Sequence, residues 1–241
     1  MTSIRHLPSS KLLIPINLEA VEELSSSLVS VTESLELLVL GYWPVPEQSS
    51  PEQVRDQHRQ EADRRLDEVA GHFDVDADNL TRRLIFSANI AQSVDDIAAE
   101  EGCDAILTPR PIAQLERILV VLREDISYER MRAFVSDLID DSSADLTVVF
   151  CADAEQHDEK DLVLKGFVDE LEIDPSSCTI EQHSVDPQKL TTYLLDQSDD
   201  YDLMVIARTS PRLLKKLVVP TDKKVARRAT SPVIVVRHHE E

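Results

Sequence analysis

A series of four short apolar runs that starts twice is the strongest constraint on this chain. The first series is KLLIPIN (11–17), LELLVLGYW (35–43), LTRRLIFSA (80–88) and CDAILTP (103–109). The second is ILVVLR (118–123), DLTVVFCAD (145–153), TIEQHSV (179–185) and DLMVIART (202–209). Continuous runs of this length read as strands buried on both faces, as in a parallel sheet whose crossovers are helices. A β-α pattern that restarts after about 100 residues implies a duplicated α/β domain and not a solenoid of short repeats. Only the second series goes on to a fifth run, SPVIVV (231–236). The expected architecture is α/β, with two tandem doubly wound parallel-sheet domains. The first, 11–112, has four strands and lacks its fifth; the second, 117–238, has all five. The missing edge predicts that Val233–Val236 pairs across to the first unit and covers it.

The stretches between the runs carry helical stripes. Asn17 is placed to cap a first helix with Val21, Leu24, Leu28 and Val31 inward. Ser50-Pro51-Glu52-Gln53 reads as a capping box with proline at the first helical position, opening a helix to about Phe73. Its charged face (Arg55, Asp56, Arg59, Glu61, Asp63, Arg64, Asp67) reads as solvated and salt-bridged. A third helix, from about Asn89 to Glu101, turns Ile90, Val94 and Ile97 inward and stops at Gly102. The Arg82-Arg83 pair marks LTRRLIFSA as a sheet edge. In the second series the helical stripes are Met131, Phe134, Val135 and Leu138, then 156–171, then a helix opened by Asp186-Pro187.

Charge sharpens the picture. The chain carries a formal net charge of −21, yet between Arg208 and Arg237 nine basic residues face a single acid, Asp222. The acids elsewhere are scattered over helical faces, and arginine outnumbers lysine about two to one. With 42% hydrophobic residues the chain can bury a core, and with 4% aromatics that core is aliphatic. This composition points to an acidic, salt-adapted protein of a halophilic cytosol, and it argues against a general nucleic-acid binder. In molar salt the screening length falls to about 3 Å, so steering by the basic segment is abolished and only direct contacts count. Cys103, Cys151 and Cys178 are far apart and form no C-x-x-C, so neither a zinc site nor a disulfide framework is expected. No apolar run approaches the length of a membrane span, and the expected location is the cytoplasm, without stable membrane insertion. The seven histidines (6, 58, 72, 157, 183, 238 and 239) show no metal spacing. There is neither a Walker loop nor a G-x-S-x-G. Asp95-Asp96 and Asp199-Asp200 read as exposed pairs, so no enzyme is expected.

The whole pattern, and above all DLMVIA, a loop, a basic helix and SPVIVV, resembles the universal stress protein family. The segment LVLGYWPVPEQSSPEQVRDQ is similar to haloarchaeal members and to the stress-protein domains attached to some amino-acid transporters. The resemblance implies an adenine-nucleotide-hydrolase-like sheet in the order 3-2-1-4-5. It also implies a nucleotide site where a G-x-x-G turn and a G-[S/T] follow the fourth strand. Here Ala207, Arg208, Thr209, Ser210 and Pro211 stand at the first motif and Pro220-Thr221 at the second. The acidic position ending the first strand is Asn17 in one copy and Arg123 in the other. After the first copy's fourth strand the chain reads Thr108-Pro109-Arg110-Pro111. Glycines let backbone N–H groups close on phosphate, and proline removes a donor, so no cofactor is expected.

Two readings of the basic segment follow. Arg208, Thr209, Ser210, Arg212, Lys215 and Thr221 could hold an anion or nucleotide by side chains in place of the glycine loop. Alternatively Leu213, Leu214 and Leu217 face a core and the cations face water. The expected function is a non-enzymatic, universal-stress-like regulator that acts through a protein partner, self-association or a small ligand. The alternatives are an ATP/AMP sensor using the second unit only, and a soluble regulator of a membrane transporter.

Overall fold

The computed structural model describes residues 10–21, 24–123, 128–139, 142, 144–151, 165–171, 178–183, 190–207 and 230–237. The described strands are β1 (Lys11–Asn17), β2 (Glu36–Pro44), β3 (Leu80–Ser87), β4 (Ala105–Thr108), β5 (Arg117–Arg123), β6 (Asp145–Cys151), β7 (Cys178–His183), β8 (Leu203–Ala207) and β9 (Val233–Val236). They form one sheet in the order β3-β2-β1-β4-β9-β8-β5-β6-β7. The order β3-β2-β1-β4 on one side is repeated as β7-β6-β5-β8 on the other, with β9 between them. Within each set of four the strands are parallel.

β9 is the hinge of this arrangement. It runs parallel to β8, with Val205 opposite Ile234 and Ile206 opposite Val235. It runs antiparallel to β4, with Leu107 opposite Ile234 and Ile106 opposite Val235. The pairing expected from the uncovered edge of the first four strands is therefore present. The two sets of strands point in opposite directions, because one neighbour of β9 is parallel and the other antiparallel.

Helices lie on both faces, as alternating crossovers require. On one face α1 (Ser26–Thr32), α2 (Pro51–Ala70) and α4 (Tyr128–Ile139) cover a core that runs through both units and includes Leu12, Leu37, Phe134, Val120 and Ile234. On the other, α3 (Ile90–Glu100) and α5 (Leu190–Gln197) cover Leu13, Ile106, Leu119, Met204 and Val235. The predicted inward positions Met131, Phe134, Val135 and Leu138 of α4 are all buried. Gly102 ends α3 region at φ 65°, a left-handed position that suits glycine.

Three local expectations are corrected. The first helix does not start after Asn17, because the Asn17 side chain accepts from the Glu19 amide in a tight local turn. Ser25 caps instead, accepting from Leu28 N, and Val21 is left 40% exposed. Ser50 precedes Pro51 as expected, but its hydroxyl makes no capping bond and turns to Glu52. α2 ends at Ala70, although Phe73 is buried beyond it. The helix predicted over 156–171 falls largely outside the described residues, which are helical at 165–169, and so does the Asp186-Pro187 start of α5.

The units meet in a second place besides β9. Ser10 gives its amide and hydroxyl to Asp137 Oδ2 at 2.9 and 2.7 Å, and Ser34 Oγ donates to Asp137 O at 2.8 Å. These bonds tie α4 to the first unit along the face covered by α1. Among the described residues no helix is long and apolar enough to cross a membrane.

Candidate functional site

In open parallel sheets a ligand sits outside the carboxyl ends of the strands, where the connections leave in opposite directions. This sheet has two such places, above β1 and β4 in the first unit and above β5 and β8 in the second. Since the units run antiparallel, the two crevices open at opposite edges of the sheet.

At the β1 side of the first crevice the turn after the strand is packed down against β2. Leu18, the residue after β1, is fully buried and lies against β2. A Cβ placed on Gly41 would come 2.6 Å from Leu18 Cδ1 and 3.1 Å from Leu66 Cδ1. Glycine at this position thus lets Leu18 sit flat on the strand. Arg65 of α2 roofs the turn, donating from Nη1 to the Leu18 and Glu19 carbonyls and from Nε to Glu61. Its guanidinium also lies 5.6 Å from the Trp43 ring centroid, and His58 stacks on the same indole at 4.5 Å and 16°. Cation and ring attract electrostatically here, so α2 is locked over the end of β2.

The exit from β4 offers few donors. Pro109 and Pro111 have no N–H. Arg110 Nη1 donates to Pro109 O at 3.0 Å, and Ile112 N goes to Ser25 Oγ at 3.4 Å, the hydroxyl that also caps α1. Thr108 itself is 6% exposed, and its hydroxyl has no hydrogen-bond partner.

The second crevice is bordered by Arg123, the last residue of β5, and Ala207, the last of β8. The six candidates, Arg208, Thr209, Ser210, Arg212, Lys215 and Thr221, follow Ala207 and lie outside the described residues, as do His6, His157, His238 and His239. Arg237, the end of the basic segment, is described, and it is not turned to a ligand. It is 7% exposed. Its amide donates to Asp104 O at 2.7 Å, its Nη1 to Cys103 O at 3.2 Å, and its Nη2 lies 3.7 Å from Asp95. That arrangement clamps the end of β9 onto the start of β4. It also corrects the reading of Asp95 as an exposed carboxylate, for Asp95 is partly buried beside Arg237, while Asp96, Asp199 and Asp200 are exposed. Burial pushes the neighbouring Cys103 thiol up to about 11, against the opposing pull of Lys11 and Arg237.

The charged face of α2 pairs as expected: Arg64 with Glu61 and Glu68, Arg59 with Asp63, and Arg82 of β3 with Asp67. Hydrogen bonds from Arg64 and Arg65 hold the Glu61 carboxyl below its usual range. Among the described residues no group of three or more His, Cys, Asp and Glu side chains is arranged to hold a metal ion. Leu18, Arg65, Thr108 and Arg237 were not distinguishable as a set from sequence. The nearest signal was the lone glycine inside LELLVLGYW, which marks a close approach within a strand.

No protein-family model matches the chain, and no curated protein sequence matches it. Among solved structures, it is similar to a universal stress protein from Archaeoglobus fulgidus DSM 4304, with a TM-score of 0.55 at 12% identity, over 94% of this chain and 96% of that one. It is also similar to a functionally unknown protein from Pseudomonas aeruginosa PAO1, with a TM-score of 0.46 at 14% identity, over 95% and 92% of the two chains. At 12% identity the first likeness is one of fold.

Proposed function

We propose that the chain is a universal-stress-type regulatory protein that works by binding and not by catalysis, in a salt-rich cytoplasm. The observation that supports this most is the state of the first crevice. Leu18 beside it packs on Gly41 of β2 with its carbonyl taken by Arg65, and the prolines after β4 remove backbone donors that a phosphate would need. On this reading recognition falls to the outer surface and the second unit. The fold shared with the Archaeoglobus universal stress protein along nearly the whole chain supports the same class of function.

A second reading has its own support. The cationic and hydroxyl side chains after β8, Arg208 to Thr221, stand in sequence where the phosphate loop of the resembled family would be. On that reading the second unit alone senses ATP or AMP. Thermal denaturation in concentrated KCl, with ATP, ADP, AMP, cyclic nucleotides and inorganic phosphate, separates the two. A ligand at 100 times its dissociation constant stabilises by about 2.7 kcal/mol, a shift of a few degrees. The binding-partner reading expects no shift with nucleotides. A clear shift with ATP that Arg208→Ala or Thr221→Ala abolishes makes the protein a nucleotide sensor instead.

A further inference from the structure

A cleft of about 360 Å³ opens where the linker between the units passes the turn before β8 and the entrance to β9. That volume lies at the small end of the range for small-molecule sites. Glu116 of the linker, Asp199 and Asp202 bring three carboxylates to it, and among the described residues that line it there is no lysine or arginine. Two of these carboxylates are held in place. Asp202 Oδ2 accepts the Glu116 and Arg117 amides at 2.9 Å each, and Asp199 Oδ1 accepts the Thr230 hydroxyl at 2.8 Å. Tyr201 adds an aromatic ring, whose face attracts cations.

An independent observation points to an occupant. Ser231 lines the cleft, is 4% exposed, and its hydroxyl has no hydrogen-bond partner. Thr108, the other orphaned buried hydroxyl here, lies at the same end of the β4–β9 seam, opposite Val233 in register. Buried polar groups are ordinarily paired, and an unpaired one marks a place where a partner belongs. The partner is not a bare metal ion, because among the described residues no three carboxylates converge as a metal requires. Carboxylates that line one cleft without converging on a single point fit a flexible chain with separated positive charges.

We propose that this cleft binds a small organic cation of the diamine or polyamine class, with ammonium groups on the Glu116, Asp199 and Asp202 side and a hydrogen bond to Ser231. The cleft lies at the sheet edge opposite the second unit's crevice, so failure of nucleotides to bind leaves it untouched. An occupant would bridge the linker to the root of β9, the strand on which both units depend.

The test is calorimetric titration of the full chain with putrescine and spermidine, at the lowest salt that keeps it folded. n-Butylamine, Mg²⁺ and a short oligolysine serve as comparison probes. The expected result is saturable one-site binding of the diamine and polyamine, weaker for the single-charge amine. Ser231→Ala, and separately Glu116→Gln with Asp199→Asn, weakens it roughly tenfold or more. Glu52→Gln with Asp56→Asn, which removes equal charge from the exposed face of α2, leaves it unchanged. Ser231→Ala removes a hydroxyl that has no partner in the unliganded protein, so it should not lower the melting temperature. Four results overturn the proposal: no binding; a loss in the α2 pair equal to that in the cleft pair, which means counterions on an acidic surface; affinity indifferent to Ser231→Ala; or cleft-dependent binding of oligolysine alone, which assigns the cleft to a partner's lysine side chains.

Discussion

Ile234 is the residue at which the two units can be pulled apart most cleanly. It lies in β9, fully buried, between Leu107 of β4 and Val205 of β8. Its side chain joins the core that runs under α1, α2 and α4. Ile234→Ala removes three carbon groups, each worth about 0.8 kcal/mol of transfer free energy. That gives a little over 2 kcal/mol before the cavity is counted, and buried isoleucine-to-alanine changes cost about 2–5 kcal/mol. Domains of this kind are stable by about 5–15 kcal/mol, so the loss is a large share of the total. Urea denaturation in concentrated KCl, followed by circular dichroism, should show a lower midpoint at unchanged slope. A single transition is expected to persist, because β9 is hydrogen-bonded to both halves. Val235→Ala, on the neighbouring position, faces the opposite core with Met204 and Ile106. Their effects should therefore add to within about 0.5 kcal/mol. A loss below about 1 kcal/mol at Ile234, or a split into two transitions of which only one moves, would refute the shared-strand argument.

Arg237→Ala removes the cation beside Asp95 and the side-chain bond to Cys103 O while leaving the backbone bond to Asp104 in place, and breaking a pair of this burial costs about 3 kcal/mol; chemical denaturation measures it, and Arg237→Lys should recover only part because it cannot reach both partners. The Cys103 thiol, raised to about 11 by burial, should resist a thiol reagent at neutral pH until the protein unfolds. Since the folded state holds the proton more tightly than the unfolded one, that contribution is intact below the unfolded thiol's pKa near 9 and is lost as pH rises towards 11; a Cys103→Ala variant should show a shallower alkaline decline in melting temperature. Gly41→Ala should lower stability by about 1–3 kcal/mol, because the new methyl meets the buried Leu18 and Leu66 side chains; pairing it with Leu18→Ala should restore part of the loss.

The strands were legible because a parallel strand buried on both faces must be apolar at every position, and few other elements of four to eight residues are. Glycine at 102 and the proline after Ser50 marked the helix boundaries for equally local reasons. Where local signals competed, the reading failed. Asn17 and Ser25 are both able to cap, and the choice fell to Ser25 because Asn17 closes a turn on Glu19. The candidate site was harder still. Counting charge from Arg208 to Arg237 could not reveal that the last of these arginines is buried in a seam with Asp104 and Asp95, more than 100 positions away in the chain. Nor does the sequence announce that Leu18 packs flat on β2, since that depends on the missing side chain at Gly41.

The shared strand also explains why the two crevices need not have the same task. β4 is only four residues long and wholly buried, so it could not stand as a bare edge. Borrowing β9 covers it and moves the free edges of the sheet out to β3 and β7. At β3 the edge carries arginines, Arg82 paired with Asp67 and Arg83 with Glu100 and Glu101. Charge on an edge strand discourages pairing with another chain. The first unit thus lends its β4 edge to the seam and has Leu18, after β1, packed on β2 beneath Arg65. The segment between β8 and β9, in contrast, carries eight of the chain's 25 lysines and arginines against a single acid. On the reading proposed above, the first unit completes the sheet, and recognition falls to the second unit and to the cleft at the linker.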